Sequence, residues 1–357
     1  MKEMSNYERL RQEMQERGID ATLIMNPVNV RWLSGFTGED SLILVTKSHQ
    51  YFITDCRYIE QASRELGEEY RFVKAAHNEV LREIDKLLDK HTTKTLGIEK
   101  EFVTIDLQRR FEESWFVRYA AVDGILRSLR VVKSQREIEN MKKGAQITEA
   151  AFQHILKFIR EGVTEYDILA ELIYFMYRKG VRPSFAPIVA SGENSALPHA
   201  TATDRRLKAG DLLTLDFGVV CGGVCTDFTR TIGIGGVESE LEMIYNTVKT
   251  ANLAAIDAIT AGMGANEIDR IARDIIAQAG FGAYYEHATG HGVGVEIHEG
   301  PRLSAYSTDI LSAGMVVTIE PGIYLPGRGG VRIEDMVLVT EDGCENFYTA
   351  TKDMILI

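Results

Sequence analysis

Nowhere in these 357 residues does an apolar run approach the ~20 residues that a membrane-spanning helix needs. The opening stretch MKEMSNYERLRQEMQERG is charged throughout and reads as an amphipathic helix. It holds no apolar core followed by a small-residue cleavage site, so no signal peptide is expected. Runs of Lys and Arg are missing as well. Forty basic residues stand against 52 acidic ones, a formal charge of −12, which argues against nucleic acid and anionic membrane surfaces as partners. Cysteine is scarce: Cys56, Cys221, Cys225 and Cys344 are all there is. CGGVC at 221–225 has the wrong gap for a redox or zinc pair, so reduced, buried or half-buried thiols are expected there. The cytoplasm is the expected location.

Three common site motifs are also lacking. His287 and His291 are four apart, but Ala288 stands where H-E-x-x-H needs Glu, which excludes a zincin. The run GHGVG at 290–294 has neither the Rossmann spacing nor a Lys-Ser/Thr ending, so it is no phosphate loop. Its glycines are better suited to close backbone approach around a site.

What is present is an ordinary globular mixture, 45% apolar and 26% charged, in a chain long enough for two domains. Such a chain can bury a large core without disulfides, so a bound metal would serve function rather than folding. The first ~125 residues alternate helix and strand patterns. A helix over 5–18 leads to a strand at 21–25, and a hairpin at 41–46 and 50–54. Helices near 57–66 and 78–90 and strands near 70–73 and 95–99 complete a small α/β domain. LRVVKS at 129–134 reads as a crossover, placing the boundary within 126–134 and the domains at 1–128 and 134–357. Ser134 with Glu137 has capping-box form and opens a long helix to about Arg160. Thr164 with Asp167, and Asn266 with Asp269, read as starts of two more helices. Strands are expected at 212–217, 224–232, 315–320 and 331–339, making the second domain α+β.

One phrase occurs twice. LKAGDLLTLDFG at 207–218 is repeated as LSAGMVVTIEPG at 311–322, with Asp216 and Glu320 at the same place in each. A second acid follows each copy, Asp227 in TDFTR and Glu334 in RIED, so two related hairpins would each present two carboxylates. Asp216 follows LLTL and Glu320 follows VVTI. Buried carboxylates are costly unless paired or bound to a cation, and four together repel one another. Divalent cations remove that problem. His287, His291 and His298 crowd into 286–301, and His199 in SALPHA is a fourth candidate. A hard, oxygen-rich set with one imidazole suits Mn²⁺, Mg²⁺ or Co²⁺, with Zn²⁺ as an alternative. Two ions ~3.5–4 Å apart activate water and polarise a carbonyl, so the chemistry implied is metal-assisted hydrolysis.

LDFG, TDFTRT, GHGVG-x-x-IHE, EPGIY and VRIED, in this order, resemble the metallopeptidases of the pita-bread fold. The closest match is their proline-specific branch, the Xaa-Pro dipeptidases (prolidases) and Xaa-Pro aminopeptidases. GFTG at 35–38 and FITDCRY at 52–58 resemble the creatinase-type N-terminal domain of that branch. The resemblance implies two divalent ions, Mn²⁺ foremost and Co²⁺ or Zn²⁺ as alternatives. Asp216 would bind one ion, Asp227 and Glu334 would bridge both, and His291 and Glu320 would complete the second. Glu320 would also shuttle a proton from the attacking water to the leaving nitrogen. His298 would hydrogen-bond the scissile carbonyl oxygen, and His199 would sit on the leaving-group side. His287 and Arg332 would support the site or bind substrate, and Phe185 and Ile188 would wall the pocket for a proline ring. Small proline-containing peptides would be the substrates, and the assembly a homodimer.

Three relatives of the same shape compete. A creatinase works without metal, with its ligand positions replaced, whereas all five stand here. Methionine aminopeptidase normally lacks an N-terminal domain of this type. Non-catalytic scaffolds of the fold have lost the ligands.

Overall fold

The computed structural model describes residues 4–357 and divides at Arg130/Val131 into two compact units.

The first unit is a six-stranded mixed sheet. Its strands lie in the order Tyr70–Lys74, Gln50–Thr54, Ser41–Thr46, Ala21–Ile24, Thr95–Ile98, Arg118–Ala121. The expected hairpin is there, Ile43 opposite Phe52, and Ala21–Ile24 runs parallel to Thr95–Ile98. Burial of Leu23, Leu44, Ile53, Leu96 and Phe111 makes its core, each large side chain contributing about 1.5–3 kcal/mol. Helices at Pro27–Ser34, Ile105–Ser114 and Asp123–Val131 were not foreseen. The first has clear local signals, Asn26 capping Val28 N–H and Gly35 ending it at φ +74°. The third corrects the reading of LRVVKS: Leu129–Val131 are the last turn of a helix.

Thr92 is the one non-glycine residue with positive φ among those described, at +51°. It follows the helix Val80–Lys90, where Thr92 N–H reaches Asp89 O and Thr93 N–H reaches Leu88 O, each at 3.0 Å. This is the double bond of a Schellman ending, a position that favours Gly. A branched residue there costs about 1–2 kcal/mol, and Gly gives back about 0.5–1 in chain entropy. Thr92→Gly is therefore expected to stabilise the protein by up to ~1 kcal/mol, read as a raised urea midpoint. A lowered midpoint would contradict this account.

The second unit is built twice over. A helix pair, Gln135–Phe158 and Glu165–Arg178, recurs as Ser239–Ala258 and Ala265–Gln278. Both pairs turn at equivalent glycines, Gly162 at φ +86° and Gly262 at φ +87°. Each pair packs on one copy of the repeated strand. Phe152, Ile155, Leu172 and Met176 cluster with Leu215, Phe217 and Phe228. Ile244, Val248, Ile268 and Ile276 cluster with Val317, Ile319 and Ile333. The cap of Ala265–Gln278 needs correcting: Glu267 accepts from Gly264 N–H at 3.0 Å. Asp269, expected in that role, is buried and bound by Arg273 and Thr289.

In the first copy, Leu212–Asp216 pairs antiparallel with Thr229–Gly233 on one side and Ile188–Ser191 on the other. In the second, Val316–Ile319 pairs with Asp335–Val339 within a five-stranded sheet. The strands expected at 224–232 and 331–339 are each broken. Asp227 lies in the gap between Val224–Cys225 and Thr229–Gly233, and Glu334 between Gly329–Arg332 and Asp335–Val339. An unbroken ladder there would carry an ionisable acid on a face packed in the core. The break instead sets each carboxylate at the end of a ladder. The two sheets meet at one bridge, Glu334 N–H bonding Thr229 O at 3.0 Å. Cys225 is buried and Cys221 half-buried, both reduced; Cys56 is exposed.

Candidate metal centre

The acids of both copies converge where the two sheets meet. Asp216, Asp227 and Glu334 are 8%, 4% and 2% exposed. Each copy ends in Thr-x-acid, and in the second copy Thr318 Oγ1 donates to Glu320 Oε1 at 3.2 Å. Thr229 Oγ1 donates to Glu334 Oε2 at 2.6 Å. His291 lies on the short strand Gly290–Gly292, threaded between Val316–Ile319 and Glu299–Leu303. A Cβ on Gly290 would strike Thr318 O, and one on Gly292 would strike Gly300 O. That close approach is what the GHG run permits. His291 Nδ1 donates to Gly292 O at 3.0 Å, which leaves Nε2 a lone pair. That Nε2 is 3.3 Å from Glu320 Oε1 and 3.5 Å from Asp227 Oδ2.

These groups do not suit one another without a cation. Ligand atoms of Asp227, His291 and Glu334 lie within 4.8 Å of one another. Burial, then Asp216 and Glu320, push the Asp227 carboxyl well above its ordinary value. Burial, then Asp227 and Glu320, do the same to Glu334. Glu320 is pushed up to about 7 by burial, partly offset by Arg332. Burial lowers His291. Asp216 Oδ1 is a buried oxygen with no hydrogen-bond partner, in a structure where such atoms are rare. Oxygen-rich donors, an imidazole with its free nitrogen turned inward and an orphaned carboxylate oxygen fit a hard divalent pair.

Asp216 Oδ2 is held by Arg332 Nη2 at 2.5 Å. Arg332 Nη1 donates to Tyr324 Oη at 2.8 Å and to Pro198 O at 3.1 Å, and Nε to Thr229 Oγ1 at 3.3 Å. Its donors are thus engaged within the protein. His287 Nδ1 donates to Ala288 O at 2.8 Å, so Nε2, 3.0 Å from Tyr324 Oη, accepts from it. His287 is pushed down to about 4 by burial and by Arg332. The chain Asp216–Arg332–Tyr324–His287 fixes one carboxylate of the cluster to the cavity wall.

The carboxylates floor a cavity of about 680 Å³, within the ordinary range for small-ligand sites. Phe185 and Ile188 form its apolar side, and His199 and His298 face it as exposed imidazoles. The His298 ring stands edge-on to His291, centroids 4.4 Å apart. Burial and the neighbouring His291 lower its pKa. All eleven residues named from the sequence border this one cavity. Two further ones went unread. Tyr324 closes EPGIY, four residues after Glu320, and was legible as a motif but not as a partner of Arg332. Arg302 follows His298 in HEGPRL. Its N–H bonds Asp309 Oδ2 at 3.3 Å while its exposed guanidinium lines the wall. Nothing in the local pattern distinguished it from a surface arginine.

No helix among the described residues is long and apolar enough to cross a membrane. Residues 139–341 match the metallopeptidase family M24, and residues 7–132 match the creatinase/prolidase N-terminal domain. An Xaa-Pro dipeptidase of Pyrococcus furiosus is 36% identical over 349 residues, 98% of this chain and 99% of that one. A solved Xaa-Pro dipeptidase from Bacillus anthracis superposes with a TM-score of 0.94 at 42% identity, covering 99% of both chains. An X-Pro aminopeptidase from Thermotoga maritima superposes at 0.92 and 36% identity, covering 99% of this chain and 100% of that one. The chain belongs to metallopeptidase family M24, with a creatinase/prolidase N-terminal domain ahead of its pita-bread unit.

Proposed function

We propose that this chain is an Xaa-Pro dipeptidase, hydrolysing the bond before proline in small peptides with two divalent ions, Mn²⁺ foremost and Co²⁺ or Zn²⁺ as alternatives. The observation that carries the reading is the convergence of Asp216, Asp227, His291, Glu320 and Glu334 beneath a cavity with an apolar wall and two exposed imidazoles. Those five residues would hold the ions. When bound, the ions supply an activated water and a positive charge beside the scissile carbonyl. Glu320 Oε accepts the proton of the attacking water and passes it to the proline nitrogen. His298 donates to the carbonyl oxygen as charge develops there, and His199 lies on the leaving-group side. Arg332 and His287, with Tyr324, hold the site in shape rather than bind substrate. Phe185 and Ile188 receive the ring of a residue that has no N–H to donate. Arg302 is the wall's exposed cation and meets the free carboxylate of a dipeptide. We extend the same reading to a homodimer in the cytoplasm, which sedimentation and fractionation test.

The test is hydrolysis by metal-stripped protein with Mn²⁺ restored, comparing Ala-Pro with Ala-Ala. Ala-Pro is expected to be cleaved far faster; equal rates would remove proline from the account. Arg302→Gln is expected to raise KM for Ala-Pro by about tenfold or more, the cost of losing a hydrogen bond to a charge. Unchanged KM would free Arg302 from that role. The second reading, an Xaa-Pro aminopeptidase, is favoured by a further cavity of about 740 Å³ that shares Arg302, His287 and Ala288 with the first.

A further inference from the structure

The half that carries Asp216 also buries an acid outside the metal cluster. Glu165 is 0% exposed at the start of the helix Glu165–Arg178. It is not spent on the helix end, which Thr164 and Asp167 already cap. Every hydrogen bond it accepts comes from the segment 191–203. Oε1 accepts from Ser191 N–H and Ser191 Oγ, each at 2.7 Å. Oε2 accepts from Thr203 N–H at 2.8 Å and Thr203 Oγ1 at 2.7 Å. Asn194 Nδ2 donates to the two oxygens at 3.2 and 3.3 Å. Thr203 O in turn accepts from Tyr166 N–H at 3.1 Å. A buried carboxylate is tolerated when it is fully paired. Here the pairing closes a loop at its base, one oxygen to each end.

That loop carries His199. Pro198, His199, Ala200 and Thr201 border the metal cavity. His199 is exposed, and no hydrogen bond or ring contact within the described chain holds its imidazole. Its place over the cavity is therefore set by its backbone. On the cavity side that backbone is tied at Pro198 O, which accepts from Arg332 Nη1 at 3.1 Å, and at its base by Glu165. The other half is built alike. Asp269, on the second helix of its pair, is 0% exposed and accepts from Thr289 N–H at 3.1 Å and Thr289 Oγ1 at 2.9 Å, two residues before His291. In both halves a buried acid of the second helix holds a segment that delivers an imidazole.

We propose that Glu165 is a positioning residue for the hydrolysis: it grips both ends of the 191–203 loop and so fixes His199 at the leaving-group side of the cavity. The inference rests on the Xaa-Pro reading above. It gives a task to a buried carboxylate that touches neither ion nor substrate.

Glu165→Gln keeps the shape of the side chain, but its NH₂ faces donors at one end, Ser191 or Thr203, and releases that end. Thr203→Val removes a single hydroxyl donor and serves as the milder break where Glu165→Gln folds poorly. In Mn²⁺-loaded protein, Glu165→Gln is expected to lower kcat/KM on Ala-Pro by about tenfold, mainly through kcat, with the metal content of wild type. Made in His199→Ala protein, the same substitution is expected to cost less than about twofold, because the residue it places is gone. Amide exchange is expected to quicken in 191–203 and to stay unchanged in Val316–Ile319. Equal losses in the two backgrounds, or unchanged exchange in 191–203, overturn the inference and leave the Xaa-Pro reading standing. A wild type that cleaves no Xaa-Pro peptide overturns that reading, and exchange then decides whether Glu165 holds the loop.

Discussion

Asp227→Asn and Glu334→Gln are each expected to abolish hydrolysis and to lower the metal content from two ions per chain to one or none. Each carboxylate is buried at the meeting of the sheets and is expected to serve both ions. An amide keeps the shape but offers one neutral oxygen, and its NH₂ hydrogens point where a cation should sit. Loss of an outer-shell partner alone costs ~10–100-fold in metal affinity or activity, so a bridging ligand should cost well over ~10²-fold. The measurements are elemental analysis of the purified variants and kcat/KM on Ala-Pro. Full activity in either would sink the ligand assignment. A folding defect is separable from this loss. Without metal, each variant replaces an acid whose ionisation the crowded group opposes with a neutral amide of the same shape, and should unfold no more easily than metal-free wild type.

Metal-stripped protein should lose stability as pH rises from about 6.5 to 8, while the loaded form does not. Asp227, Glu334 and Glu320 all have folded values raised above their ordinary range, Glu320 to about 7. A raised acid holds a proton in the folded state that it has lost when unfolded. Its stabilisation is complete below the unfolded value and disappears as pH climbs through the folded one. For Glu320 the whole loss is on the order of 3 kcal/mol, and it runs from the ordinary value of 4.5 up to about 7, so only its last part falls in this window. His287, His291 and His298 are lowered, and work the other way. Below the ordinary histidine value of 6.5 they favour unfolding as pH drops, which opposes the acids. Above it the histidines are neutral in both states and only the acids titrate. Metal binding needs deprotonated ligands, so affinity rises with pH and the gap between loaded and stripped melting points should widen. Melting curves with and without chelator at pH 6.5, 7.25 and 8 check this. A stripped protein that gains stability over that window would contradict the buried acid cluster.

The four acids that meet at the cavity floor were legible because the chain says the same thing twice. A repeated strand ending in an acid, with a second acid after it, is a pattern no single copy could carry. The hairpin of the first unit and the caps at Ser134 and Thr164 were legible because their signals are local. The helix Ser239–Ala258 escaped because its N-cap Glu238 makes no side-chain capping bond to the helix, so no box announces it. Asn266 and Asp269 misled for the opposite reason: Asp269 has the right chemistry for a cap but is drawn inward by Arg273 and Thr289. The tie from Arg332 to Asp216 joins residues 116 apart in the chain. It leaves no trace in local pattern.

The single bridge between Thr229 and Glu334 has a consequence for how the enzyme matures. Each half of the pita-bread unit has its own ladder and its own helix pair. Bringing the halves together presses two acids of one against two of the other. Until a cation or protons arrive, the last act of folding works against its own charge. The ion would then act as a timing signal, present when the seam closes.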